Sequence, residues 1–324
     1  MNKKLISSLV AGLALSAAAV APAQAAPMSL VTGSVTISFD SMLDQGTIGY
    51  TNPGQPNNTT ATLCTSVATC NAVPGQTTGA NAYGDDTWGV LNVASIVSNV
   101  TGDTLWARNS TTTSGNGKFL TGFFYGLQDF RVDLTLNSVG APTITTFSTG
   151  GQVDLFWNSA EYNSATVSAA NRATATTFTG VTGGVKAASL VFNPTADGNE
   201  PASYYRSIYN YTSNGSGGVG YLDVVAGSGA ASDADGNPNT QDLAVLLETS
   251  NSWLDGQTMD PSGVYHDAAL FTVFGPATTA QLGNGWTVKG SGYADSNIPE
   301  PGSMALAGLG LIGLAALRRR KQQA

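Results

Sequence analysis

Residues 130–136 read Phe130-Arg131-Val132-Asp133-Leu134-Thr135-Leu136, an unbroken alternation of apolar and polar side chains. Successive side chains of an extended strand point to opposite faces, so Phe130, Val132, Leu134 and Leu136 share a dry face and Arg131, Asp133 and Thr135 a wet one. Shorter strand-like runs recur at 35–39, 153–157, 190–192, 221–225, 243–247, 270–274 and 286–289. Between them lie TNPGQPNNTT (51–60), TTTSGNGK (111–118) and TSNGSGG (212–218), where Gly reaches positive φ and Asn and Ser bond to their own backbone. No long amphipathic helix emerges. The Ala-rich stretch 159–177 has too much Thr and Asn and no apolar period, so it makes a poor helix. No repeat of fixed period appears, which argues against a propeller or solenoid. The expectation is an all-β domain over residues 26–297, an antiparallel β-sandwich or jelly-roll.

Both ends of the chain carry removable signals. Lys3 and Lys4 precede the apolar run Leu5–Val20, and Ala23-Gln24-Ala25 offers the small residues that signal peptidase accepts, so residues 1–25 read as a secretory signal peptide. At the other end, Pro299-Glu300-Pro301 is stiff and extended, because proline lacks an amide donor and restricts its predecessor. Gly302–Leu317 comes next without a charge, and Arg318, Arg319, Arg320 and Lys321 then hold this end in the cytoplasm by the positive-inside rule. Crossing about 30 Å of hydrocarbon takes roughly 20 helical residues. The run Gly302–Leu317 is shorter than that and rich in Gly and Ala, which suits a transient hydrophobic sorting helix better than a lasting anchor.

Residues 298–324 thus resemble the PEP-CTERM sorting signal, a three-part element on exported proteins of Gram-negative bacteria that secrete exopolysaccharide. The resemblance rests on Pro299, Glu300, Pro301, the apolar run and the basic cluster Arg318–Lys321. It implies processing near the Pro-Glu-Pro triplet by exosortase, a membrane enzyme resembling cysteine proteases. It further implies passage through signal peptidase and the general secretion machinery, transient inner-membrane anchoring, and then the cell surface or extracellular matrix. It covers the tail alone and gives routing, not activity.

Six of the 13 Lys and Arg and one of the 21 Asp and Glu lie in these two ends, leaving 7 basic against 20 acidic residues and a charge near −13 on residues 26–297. Such a surface opposes nucleic acid, whose phosphates must be met by Lys and Arg, and favours solubility and divalent cations. The two cysteines, Cys64 and Cys70 in LCTSVATC, are placed to form one disulfide in an oxidising compartment. A thiol catalyst would depend on the single histidine, His266, far along the chain, and zinc would lack ligands.

Chemistry is sparse elsewhere. Asp233-Ala234-Asp235-Gly236-Asn237, with Asp242 beyond, echoes part of a calcium loop, in which acidic oxygens converge around a glycine turn. With Asp235-Gly236 at loop positions five and six, however, Ala231 occupies the first ligand position, so the alternative is a solvated turn rich in Asp and Asn. A glycosidase needs two opposed carboxyl groups, and Glu161, Glu200, Glu248, Asp223 and Asp255 all qualify by type while nothing pairs them. His266 and Asp267 are adjacent, so on a strand they point apart. Trp88, Trp106, Trp157, Trp253 and Trp286 suit a core as well as a sugar platform. In SYYRSIYNYT, which also holds Tyr204, the residues Tyr205, Tyr209 and Tyr211 fall on one strand face, making that segment the best candidate for carbohydrate contact.

Two function classes emerge: a non-enzymatic surface or matrix protein of exopolysaccharide, biofilm or floc, or a secreted carbohydrate-binding module or polysaccharide-active hydrolase. No cofactor other than calcium is suggested. For the cysteines, protein taken from the cell surface is expected to resist alkylation by iodoacetamide until reduced, with two thiols then labelled; free labelling before reduction would contradict the bridge.

Overall fold

Fifteen strands succeed one another along the described chain: β1 (Val35–Asp44), β2 (Thr60–Cys64), β3 (Thr87–Ser98), β4 (Thr104–Ala107), β5 (Phe119–Leu136), β6 (Pro142–Asn158), β7 (Arg172–Thr174), β8 (Thr177–Phe178), β9 (Val185–Asn193), β10 (Tyr205–Asn210), β11 (Ser216–Val224), β12 (Thr258–Met259), β13 (Tyr265–His266), β14 (Ala268–Pro276) and β15 (Val288–Ser296). Two short helices, α1 (Val67–Cys70) and α2 (Thr279–Gly283), join them. The computed structural model describes residues 35–44, 60–70, 83–99, 101–108, 119–136, 142–194, 203–210, 216–225, 258–259 and 265–296. Among these, no helix is long and apolar enough to cross a membrane.

Eight strands pair in chain order, each antiparallel to the next: β1 with β3, β3 with β5, β5 with β6, β6 with β9, β9 with β11, β11 with β14 and β14 with β15. The ring then closes, because β15 pairs back onto β1 from Val35↔Ser296 to Asp44↔Val288. The all-β, antiparallel expectation stands. The connectivity makes it one sheet rolled into a barrel, whose two halves face each other across a shared interior as the layers of a sandwich do. Closure gives every strand of the ring two partners and removes the exposed edges that invite aggregation.

The expected strand 130–136 lies within β5, where Val132 and Leu134 are buried and Arg131, Asp133 and Thr135 are not. The runs at 35–39, 153–157, 190–192 and 270–274 fall inside β1, β6, β9 and β14, those at 221–225 and 286–289 overlap β11 and β15, and 243–247 lies outside the described residues. The interior is filled from all sides, by Ile37 and Phe39 of β1, Leu91 and Val93 of β3, Phe124 and Leu127 of β5, Leu155 of β6, Leu190 and Phe192 of β9, Leu222 of β11 and Leu270 of β14. Burying each Leu, Ile, Val or Phe contributes roughly 1.5–3 kcal/mol.

A second core lies on the outer face. Along β3, Trp88 and Val90 alternate with Leu91 and Val93, so the former pair turns outward. There they meet Phe123 of β5, Phe178 and Val181 of the segment 159–184, and the fully buried Trp286. Ring centroids within this cluster stand 5.5–6.3 Å apart in tilted or edge-to-face contact. The segment 159–184 is mostly irregular, with one 3-10 turn at Ala169–Asn171 in the Ala-rich stretch and the short β7–β8 hairpin after it. Tertiary contacts hold it: the Trp286 indole donates to the Val167 carbonyl at 2.8 Å, and the Thr121 hydroxyl to the Val181 carbonyl at 3.0 Å.

Arg172 pins this cover to the barrel. Its guanidinium forms two parallel bonds to the Asp85 carboxylate, at 2.9 and 2.8 Å, with both side chains 3 % exposed. It also donates to the Ala175 carbonyl and lies over the rings of Trp88 and Tyr83, 4.6 Å from each centroid. Removing one partner of a buried pair strands the other charge in a medium that solvates it poorly. Asp85→Ala should therefore lower stability by about 3–5 kcal/mol, with little sensitivity to salt, as read from urea unfolding at low and high sodium chloride. A loss below about 1 kcal/mol would show that the cover holds without the pair.

Candidate functional site

Strands β5 and β6 are longer than the barrel needs. Their pairing runs from Phe119↔Asn158 to Leu136↔Pro142, whereas β3 pairs with β5 only as far as Thr87↔Leu127. Past that point the hairpin continues as a wall, flanked by β2 on the β5 side and by β10 on the β6 side. Strand β10 also pairs with β11, taking over the lane that β9 fills further along β6. At the hinge between barrel and wall, Gly126 and Gly151 both have positive φ, 80° and 101°. A Cβ on Gly151 would stand 2.6 Å from the Leu127 side chain, so only glycine fits there. The Gly126 amide donates instead to Asp85 at 2.8 Å.

Just beyond the hinge, the β5–β6 register shifts between Asp129 and Arg131. The extra residue of a β-bulge reverses the parity of side chains on either side of it, so Asp129 turns inward although the alternation of 130–136 assigns it to the wet face. It is 3 % exposed, and its carboxylate accepts from the Ser148 hydroxyl at 2.8 Å. Burial pushes its pKa up from the ordinary 3.8 to about 7; the Ser148 bond opposes this, and Asp86 and Asp44 nearby add to it.

Wall and rim enclose a cup of about 240 Å³ at this end of the barrel. Tyr205, Ser207 and Tyr209 line it from β10, and Thr146 and Ser148 from β6, next to Asp129. Asp44, Thr87 and Thr287 complete the polar part, while Ile144, Phe274, Leu282 and Val288 supply apolar surface. Below the cup the barrel interior leaves only about 50 Å³, lined almost wholly by apolar side chains. Tyr205 belongs to both spaces: its ring meets Phe192 edge-on at 5.6 Å, and its hydroxyl shares a 2.8 Å hydrogen bond with Thr272. Burial raises the pKa of Tyr205 and of Tyr209, so both phenols are neutral hydrogen-bonding groups.

The fold scatters the candidates named from the sequence. Tyr205 is buried at the base of the cup instead of lying on an exposed strand face, Tyr209 is half-buried in its wall, and Tyr211 lies outside the described residues. Cys64 and Cys70 are bonded to each other and cluster with Val132, Leu134 and Ile144, so their loop packs on the wall beside the cup, whose lining shares Ile144. Trp88, Trp106, Trp157 and Trp286 are core residues. His266 meets Asp223 rather than Asp267, Nδ1 to Oδ1 at 3.2 Å, while Asp267 accepts from the Val224 amide at 2.6 Å. Glu161 pairs with Arg108 at 3.0 Å, and Arg108 also grips Asp40. Asp233, Asp235, Asp242, Glu200, Glu248, Trp253, Asp255 and the whole tail, Pro299 to Lys321 included, lie outside the described residues. Among the described residues no group of three or more His, Cys, Asp or Glu is placed to hold a metal ion.

Residues 297–321 match the family described as the PEP-CTERM protein-sorting motif. The C-terminal segment is therefore an exosortase-pathway sorting signal, which directs export, transient membrane anchoring by this end of the chain, and processing by an exosortase-type enzyme. The chain matches no curated protein and no solved structure.

Asp129 makes the cup sensitive to pH. Its folded pKa lies above its unfolded one, so its contribution to stability is full below about pH 4 and is lost as pH rises through about 7. Asp129→Asn should flatten this part of the Tm-against-pH curve and leave the variant at least as stable as the parent at pH 8. An unchanged slope would show that Asp129 titrates normally.

Proposed function

We propose that this is a non-enzymatic surface or extracellular-matrix protein, a component of exopolysaccharide, biofilm or floc. In this scheme signal peptidase removes residues 1–25, the general secretion machinery exports the chain, and exosortase-type processing near Pro299-Glu300-Pro301 frees the β domain, 26–297. The observation that carries it is the sorting signal, which commits the protein to a pathway ending outside the inner membrane. The closed barrel supports it: a ring of strands without free edges, with an outer core and a disulfide-braced wall, suits a protein working in an oxidising environment.

A carbohydrate-directed role is the second reading, and the cup favours it. Tyrosine rings and hydroxyls together provide stacking and hydrogen bonding for a sugar. Hydrolysis has one observation on its side: Asp129, held protonated to about pH 7, shares the cup with Asp44, and glycosidases pair a raised-pKa acid with a second carboxylate. Incubation with the exopolysaccharide of the producing cells separates these cases. Shortening that is lost with Asp129→Asn marks a hydrolase, retention without shortening a binder, and neither result a structural component.

Routing is tested by replacing Pro299, Glu300 and Pro301 with alanine. The expected outcome is an exported protein retained in the inner membrane with its tail uncut, seen as a larger species in the membrane fraction. Normal release of that variant would overturn the proposed processing site.

A further inference from the structure

We propose that the cup at the β5–β6 end of the barrel is an end-recognition site, which takes the terminal ring of a neutral saccharide chain. The proposal rests on the carbohydrate-directed reading and adds where the sugar binds, which part of it enters and which charge it carries.

Size and shape come first. At about 240 Å³ the cup falls just below the roughly 300–1,000 Å³ range of small-molecule pockets, a size that suits one sugar ring better than several. The cup is also blind: the interior beneath it is packed by Leu127, Phe192, Leu270 and their neighbours, with about 50 Å³ left. A polysaccharide therefore cannot thread through. Only a chain end can enter, with the rest of the chain pointing out past Leu282 at the rim, which is 55 % exposed.

The lining matches a pyranose on both of its sides. A sugar ring has an apolar face of C–H groups and a belt of hydroxyls that both donate and accept. Tyr205, Ser207 and Tyr209 stand on the same face of β10, where the half-buried Tyr209 supplies aromatic surface and the buried Tyr205 forms the base. Thr146, Ser148 and Ser207 carry hydroxyls able to donate or accept, and Asp129 a carboxyl group already bonded to Ser148.

Charge narrows the class. Asp44 and Asp129 line the cup, Asp86 stands behind Asp129 with its carboxylate on the Asp129 amide, and among the described residues the lining holds no Lys or Arg. A uronic acid, a sulfated sugar or a phosphate would enter without a counter-charge, so the occupant is uncharged. The buried carboxyl that stays protonated to about pH 7 agrees with a site built for neutral hydroxyl groups.

The test uses the full mature protein and defined probes: glucose, galactose, mannose, their methyl glycosides, glucuronic acid, tetramethylammonium, and neutral oligosaccharides of two to six units, titrated by NMR. At least one neutral hexose is expected to bind, glucuronic acid at least about tenfold more weakly, and affinity should stop rising after the second unit, because only the end is held. Ser207→Phe, which fills the cup, and Tyr209→Ala should each weaken binding about tenfold or more, while Tyr209→Phe keeps it; circular dichroism and Tm verify that each variant is folded. Affinity that climbs steadily to six units, tighter binding of glucuronic acid or tetramethylammonium, or sugar binding untouched by Ser207→Phe would each overturn the end-recognition site and leave a carbohydrate role elsewhere on the protein intact. Failure of every neutral sugar and of the native exopolysaccharide to bind would overturn both.

Discussion

The pairing of β15 with β1 is the contact on which the rest of the molecule depends. It joins Val35 to Ser296 and Asp44 to Val288 across almost the whole described length of the chain. Without it two long strands would expose unpaired amides and carbonyls, and interior residues such as Ile37, Phe39 and Ala294 would open to water. The entropic cost of closing so long a loop grows only logarithmically with its length, whereas the ladder gained is a full strand long. The penalty falls on speed, because such non-local pairing forms slowly.

A second constraint ties the outside of the barrel to its mouth. Asp85 takes both the Arg172 guanidinium and the Gly126 amide, and Asp86, next in the chain, takes the Asp129 amide at 2.8 Å. The Asp86 amide in turn donates to the Leu127 carbonyl, also at 2.8 Å. Two neighbouring carboxylates thus hold the hinge of β5 from its first irregular residue to its bulge. The aromatic cover on the outer face and the cup on the inner side are coupled through four residues, Gly126 to Asp129, and loosening one would move the other.

Legibility in the sequence tracks local pattern. Strands with one wet face, such as 130–136, are readable because alternation survives in them. The stretch Trp88–Val93 is not, since both of its faces are buried and the period of two disappears into an apolar run interrupted by the buried Asn92. Barrel closure is equally invisible, because nothing in the alternation of β1 names β15 as its partner. Asp129 escapes notice for a sharper reason: simple parity places it with Arg131 and Asp133 on the solvent side, and a single bulge residue reverses that assignment. The tyrosines of β10 do share a face, as their spacing implies, but the face is concave and half enclosed. The tail is the part most fully written in sequence, since its three-part motif is local and is matched without any tertiary context.

The position of the closing pair also sets a limit on handling by other proteins. Ser296 ends β15 beside Val35, at the opposite end of β1 from Asp44 and the cup. Pro299 comes three residues later, and at no more than about 3.6 Å per residue that is a reach of roughly 11 Å. If processing takes place at the triplet, as proposed, an enzyme gripping it once the barrel has closed works within that reach of its base, with little slack to draw the substrate into a deep cleft. Either the enzyme presents a shallow site, or the cut is made while β15 is still undocked, in which case proteolysis and the last step of folding compete for the same strand.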